Sequence, residues 1–196
     1  MVFRFKITLD GVKSPQVWRT IDVPASWPFI YFNAAIQAAF GWENCHLWQF
    51  SDCMKGYGEG SFRIAEPSEY DGDYSAETLD AWSTKLSDIF PARKTLSFIY
   101  DFGDYWRHTI KLVEVIDKNA RRAFCQDGKG TCPPEDCGGT GGYEDLKQAF
   151  KKENCETESY REWLGLEDNE TWDPDRFSKT EANVQLSCIG RYPGAY

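Results

Sequence analysis

Apolar and charged residues alternate through residues 3–9, FRFKITL, which is the two-residue period of a half-buried strand, and the DGVKSP that follows carries turn chemistry. QVWRTIDV continues as a partner strand. The period then changes in PASWPFIYFNAAIQAAFGW. Phe29, Phe32, Ile36 and Phe40 fall on one helical face, Ser26 is a candidate cap, Pro28 suits a first turn and Gly41 supplies a stop. A β-hairpin followed by a helix is the first prediction.

Residues 46–51, HLWQFS, predict a short strand with His46, Trp48 and Phe50 on one side, and SFRIA predicts another. Helical spacing returns at Leu79, Trp82, Leu86, Ile89 and Phe90. Between them, DGDYSAETL opens like a calcium loop, with oxygens at alternate positions. It lacks Gly at the sixth place and Glu at the twelfth, so it reads as a solvated turn.

Residues 95–115, TLSFIYDFGDYWRHTIKLVEV, predict two alternating strands around Gly103-Asp104, a two-residue loop of the Gly-X kind. In that register Asp101 faces Trp106 and Ile99 faces His108. Asp101, Trp106 and His108 then share a face, with Asp101 and His108 diagonal neighbours about 7 Å apart.

A strand at ARRAFC precedes CPPEDCGGTGGY, after which YEDLKQAFKK predicts a helix with Leu146 and Phe150 inward. SYREWLG predicts a short helix ending at Gly165, and DPDRF and TEANVQLSCI are final helical pieces. Strands lead and helices close the chain. The expected class is therefore α+β: one compact domain over residues 1–196, an antiparallel or mixed β-sheet with packed helices.

Composition sharpens this picture. Aromatic residues make up 16% of the 196 residues, with 8 Trp, so the core is expected to be built from large rings. Trp18, Trp27, Trp42, Trp48, Trp106 and Trp163 would otherwise line a recognition groove, but their strand and helix spacing favours core. No apolar run approaches the roughly 20 residues that span a bilayer, and the N-terminus lacks the apolar stretch of a signal peptide. Seven cysteines, an odd number, suit thiols in a reducing compartment. These features together predict a cytoplasmic protein with no membrane partner.

The formal charge is -9, and it is concentrated: residues 127–175 hold 14 acidic and 5 basic residues. Nucleic-acid binding relies on Lys and Arg neutralising phosphates, so direct DNA binding is disfavoured. An acidic face instead suits a basic partner or bound cations.

Four segments, FKITLDGVKSPQVWRTIDVP, AIQAAFGWENCHLWQF, YDFGDYWRHTI and GKGTCPPEDCGGTGGYEDL, together resemble the plasmid pRiA ORF-three-like family, whose members are often labelled transposon-passenger or TnpR-like. The resemblance spans about residues 3–178. It implies a compact α+β domain, sometimes carried on mobile elements, with no established activity. A resolvase would need a nucleophilic Ser, an arginine cluster and a basic tail, which this chain does not present. The family pattern carries onto His46, Asp101, Gly103, Asp104, Trp106, His108, Pro133, Pro134, Glu135, Asp136, Gly138, Gly139, Gly142 and Tyr143. A second polar residue expected two positions after His46 is Trp48 here.

Three chemistries compete for these residues. Cys125, Cys132 and Cys137 could join Cys45, His46 or Cys53 around zinc, although C-x6-C-x4-C lacks the close pairs of a zinc knuckle. GGTGGY before a helix would free N–H groups for an anion, but it matches no phosphate-loop pattern and sits beside two acids. His46, Asp101, Asp104, His108, Glu135 and Asp136 would hold a divalent metal or act as acid and base. The bland alternative makes Asp101 an orienting partner of His108, Asp104 a turn residue and Glu135-Asp136 caps of their own loop.

The leading expectation is a binding or interaction module for an unknown protein or small-molecule ligand, with no cofactor required. Its functional surface would lie where the 101–108 hairpin meets the Pro-Pro-Glu-Asp loop, and would comprise His46, Asp101, Asp104, Trp106, His108, Glu135, Asp136 and Tyr143. The alternatives are a metal-dependent hydrolase using the same carboxylates and histidines, and a nucleic-acid-associated accessory protein.

Overall fold

The computed structural model describes residues 1–54, 60–67, 77–153, 155–167 and 170–189. The calcium-like stretch 71–76 lies outside the described residues.

The first prediction holds. Strand β1 (Val2–Leu9) pairs antiparallel with β2 (Trp18–Pro24), Phe3 opposite Val23 and Phe5 opposite Ile21. Alternation sends Phe3, Phe5, Ile7 and Leu9 inward. Arg4 stays on the other face, where its Nε donates to Asp22 at 2.7 Å.

Helix α1 (Phe29–Phe40) follows and ends at Gly41, whose φ of 108° and N–H to the Gln37 carbonyl form a left-handed cap. Ser26 makes no cap; Pro28 occupies the N-cap position without a side-chain bond. Phe29 and Phe32 pack against Phe50, and Phe32 also meets Phe5 at 4.8 Å between ring centres. Each buried ring of this kind contributes about 2–3 kcal/mol.

The remaining strands are β3 (Trp48–Ser51), β4 (Phe62–Ala65), β5 (Glu77–Asp80), β6 (Thr95–Tyr100), β7 (Trp106–Ile116) and β8 (Phe124–Lys129). Together the eight form one sheet in the order β5-β4-β3-β6-β7-β1-β2-β8, antiparallel except for the parallel β4–β5 pair. The remaining helices are α2 (Leu86–Ile89), α3 (Gly139–Lys152), α4 (Thr157–Leu164) and α5 (Lys179–Leu186). The expected α+β class is what the structure has: a mixed sheet with helices packed on it.

Five local expectations need correcting. Leu79 lies in β5, paired with Ile64, because a strand edge was available there; only Leu86–Ile89 keeps the expected helix. The strand expected at ARRAFC starts only at Phe124, and DPDRF is a turn rather than a helix. Helix α3 begins four residues before Tyr143, at Gly139.

The fifth correction bears on function. The β6–β7 connection is not two residues but five: Tyr100 pairs with Trp106, and Asp101–Tyr105 form the turn, closed by the Tyr105 N–H on the Asp101 carbonyl at 2.8 Å. The register differs by one residue, so His108 faces Phe98 rather than Ile99. A one-residue shift reverses which face a side chain takes. Asp101 leaves the ladder, and its pairing with His108 dissolves.

Candidate functional site

Strand pairing explains how the site assembles. Trp48, the first residue of β3, lies opposite Tyr100, the last of β6. The segment entering β3 and the segment leaving β6 therefore emerge together, and the Asp101 N–H donates to the Leu47 carbonyl at 2.9 Å. His46 precedes that entry and Asp101 follows that exit, so their side chains meet at one end of the sheet.

The loop between β8 and α3 brings the third element. Glu135 Oε1 accepts the Glu43 N–H at 2.7 Å and the Tyr100 hydroxyl at 2.9 Å. It thus caps the segment after α1 rather than its own loop. Tyr100 also accepts the Cys45 N–H at 3.1 Å, binding all three segments to one phenol. Asp101 and Asp136 both have φ of 55°, a left-handed conformation uncommon for residues with a side chain. This backbone aims both carboxylates.

The result is a ring of oxygens around one imidazole nitrogen. His46 Nε2 lies 3.4 Å from Asp136 Oδ1, 3.8 Å from Glu135 Oε2 and 3.9 Å from Asp101 Oδ2. Among the described residues, neither His46 Nε2 nor Glu135 Oε2 has a hydrogen-bond partner, although both atoms are buried. Two donor sets share the histidine: Cys45–His46–Glu135 and His46–Asp101–Asp136, each with ligand atoms mutually within 4.8 Å. Burial raises the Glu135 carboxyl above its ordinary pKa, against the bonds from Glu43 and Tyr100 and the nearby imidazole. The Asp136 side chain is 75% exposed and leaves the ring open on one side.

The other expected residues divide. Asp104 stands beside the cluster and binds the Gly138 N–H at 3.0 Å. Trp106, His108 and Tyr143 are buried and form no exposed surface. Trp106 packs between Trp42 and Tyr143, and the Tyr143 hydroxyl donates to the Thr131 carbonyl. His108 sits against Phe40 and Phe98; among the described residues neither ring nitrogen meets full hydrogen-bond geometry, and the Trp106 and Phe98 backbones make only weak polar contacts with the ring. Burial pulls its pKa down to about 3, opposed by the Trp106 and Phe98 backbone. It is a neutral core residue.

Among the described residues, neither donor set contains Cys125, Cys132 or Cys137. Burial pushes all three thiols up, Cys137 to about 12. The residue the sequence reading missed is Tyr100. Its signal was faint: an aromatic at the last strand position before Asp101.

Comparisons with known proteins add kinship. The family profile described as plasmid pRiA4b ORF-3-like protein matches residues 1–181. An uncharacterised protein, y4hQ of Sinorhizobium fredii, is 32% identical over 169 residues, covering 85% of this chain and 82% of its own. The crystal structure of a protein of unknown function, MM3350 from Methanosarcina mazei Go1, superposes with a TM-score of 0.76 at 32% identity, covering 92% of this chain and 95% of that one. No helix among the described residues is long and apolar enough to cross a membrane.

Proposed function

The chain belongs to the plasmid pRiA4b ORF-3-like protein family, and we propose that this member is a divalent-cation-binding protein whose ligands are His46, Asp101, Glu135 and Asp136, with Cys45 at the rim. The carrying observation is that, among the described residues, buried His46 Nε2 and Glu135 Oε2 have no hydrogen-bond partner while three carboxylates face that nitrogen at 3.4 to 3.9 Å. Three acids brought together repel one another unless a positive charge lies between them. The separations from His46 exceed hydrogen bonds, and the ligand atoms within each three-residue set lie within 4.8 Å of one another, near the ~3.4 Å between ligands that stand about 2.1 Å from a tetrahedral centre. Imidazole with carboxylates and an adjacent thiol favours a zinc-class ion over magnesium.

The sequence alone put a ligand-binding module ahead of a metal site. The geometry supports joining the two: the bound ligand is the cation. Titration of chelator-treated protein with zinc, manganese and magnesium, followed by calorimetry and elemental analysis, tests this. One ion per chain is expected, zinc tightest, with His46→Ala weakening it at least 10-fold at unchanged circular dichroism. No bound ion under any of the three would sink the proposal.

A second reading, cation-assisted hydrolysis, is favoured by the open side at Asp136. A bound cation there would lower the pKa of a water molecule. Turnover of nitrophenyl phosphate or ester substrates by zinc-loaded protein, lost in Asp136→Asn, would support it, and no turnover would confine the site to binding.

A further inference from the structure

A buried arginine stands apart from the cation cluster. Arg19, on β2, is 2% exposed. Its guanidinium is held between two rings, 5.0 Å from Phe40 and 4.4 Å from Phe177. Close approach at Gly128 makes room, since a Cβ there would come within 2.8 Å of both Phe177 and the Arg19 side chain. The Nε donates to the Ala39 carbonyl, Nη1 to those of Trp18 and Lys129, and Nη2 to that of Gly130. Four of the five N–H groups are therefore spent on neutral carbonyls.

No carboxylate is paired with this charge among the described residues. A buried cation without a counter-charge is costly, and arginine does not escape by losing its proton. Arg19 lines a cavity of about 310 Å³. Arg176 and Glu181, also in its wall, neutralise each other at 2.5 Å. Cys132 is kept neutral by burial. The lining thus carries one net positive charge; Ala38, Ala39, Phe40, Phe177 and Ala182 supply an apolar wall beside the uncharged polar groups of Thr131, Ser178 and Gln185. Its volume is near the lower end of ligand sites, which run from about 300 Å³ upward.

We infer that this cavity binds a small organic monocarboxylate, its carboxylate on the remaining Arg19 N–H and its apolar body against Phe40, Phe177 and the alanines of α1 and α5. One charge suits a carboxylate rather than a phosphate dianion. The site shares no ligand residue with the cation cluster and is assayed in chelator, so its outcome is independent of that proposal.

The test is calorimetric titration of the whole chain with hexanoate, hexanamide and inorganic phosphate in the presence of chelator. Hexanoate is expected to bind at least 10-fold more tightly than the other two, and Arg19→Lys to weaken it at least 10-fold. Because Arg19→Lys could also unfold the protein, Ala38→Leu, which fills the cavity from α1, serves as a second variant and should abolish hexanoate binding in a folded chain. Equal binding of hexanoate and hexanamide, tighter binding of phosphate, no binding of hexanoate at millimolar concentration, or binding retained by folded Ala38→Leu would each overturn the inference.

Discussion

Asp104 Oδ2 accepts the Gly138 N–H at 3.0 Å, and this single contact ties the β6–β7 turn to the entry of α3. The two segments are close along their backbones as well: a Cβ on Gly139, where φ is 66°, would come within 2.9 Å of the Asp104 carbonyl oxygen. One segment carries Asp101 and the other Glu135 and Asp136, so their docking sets the spacing around His46.

Removing that tie with Asp104→Ala should cost about 1–2 kcal/mol, as expected when an amide loses a charged acceptor. Urea unfolding reads the loss directly. The cation affinity of the variant should fall about 10-fold although Asp104 is not a ligand, and unchanged affinity would show that the docking does not position the carboxylates.

Tyr100→Phe probes the support from behind. The phenol donates to Glu135 and accepts from the Cys45 backbone, so its loss frees one carboxylate oxygen and strands one amide. Stability should drop by about 1–2 kcal/mol. Groups that orient metal ligands are worth about 10–100-fold in affinity, and calorimetry on the variant should show a loss in that range.

The first turn of α3 depends on a missing side chain. A Cβ on Gly142 would lie 1.7 Å from the Cys137 carbonyl oxygen, whereas one on Gly141 would meet nothing within 4 Å. Gly142→Ala should therefore destabilise by about 3 kcal/mol or prevent folding. Gly141→Ala should be neutral or stabilising by about 0.5–1 kcal/mol, since alanine favours a helix. Thermal melts of the pair make the comparison.

His108 gives the protein a pH dependence of known sign. Its folded-state pKa of about 3 lies below the ordinary value of 6.5. Between those values the unfolded chain binds a proton that the folded chain does not, so stability is full above pH 6.5 and declines as pH falls toward 3. The decline attributable to this residue is about 1.4 kcal/mol per pH unit. In His108→Leu it should vanish, so urea midpoints of wild type and variant should diverge progressively below pH 6.5; parallel curves would show that His108 is not buried and neutral.

In the N-terminal part of the chain, side-chain periodicity was enough to determine the structure. The β1–β2 hairpin, α1 with its Gly41 stop and the α+β class follow from alternation, helical spacing and backbone punctuation, which are local properties. The residues of the cluster were also readable as a set, because histidines and special-geometry acids stand out against an aromatic background.

Their arrangement was decided elsewhere. The pairing of Trp48 with Tyr100 places His46 beside Asp101, and the five-residue turn releases Asp101 from the ladder that would have put it near His108. Glu135 reaches His46 only because its loop folds back under Tyr100 and Glu43. The sequence determined which chemical groups this protein has and which segments carry them. The long-range pairing of β3 with β6 decided that His46 joins the acids, and one residue of register in the β6–β7 hairpin decided that Asp101 does so without His108, which is buried among rings.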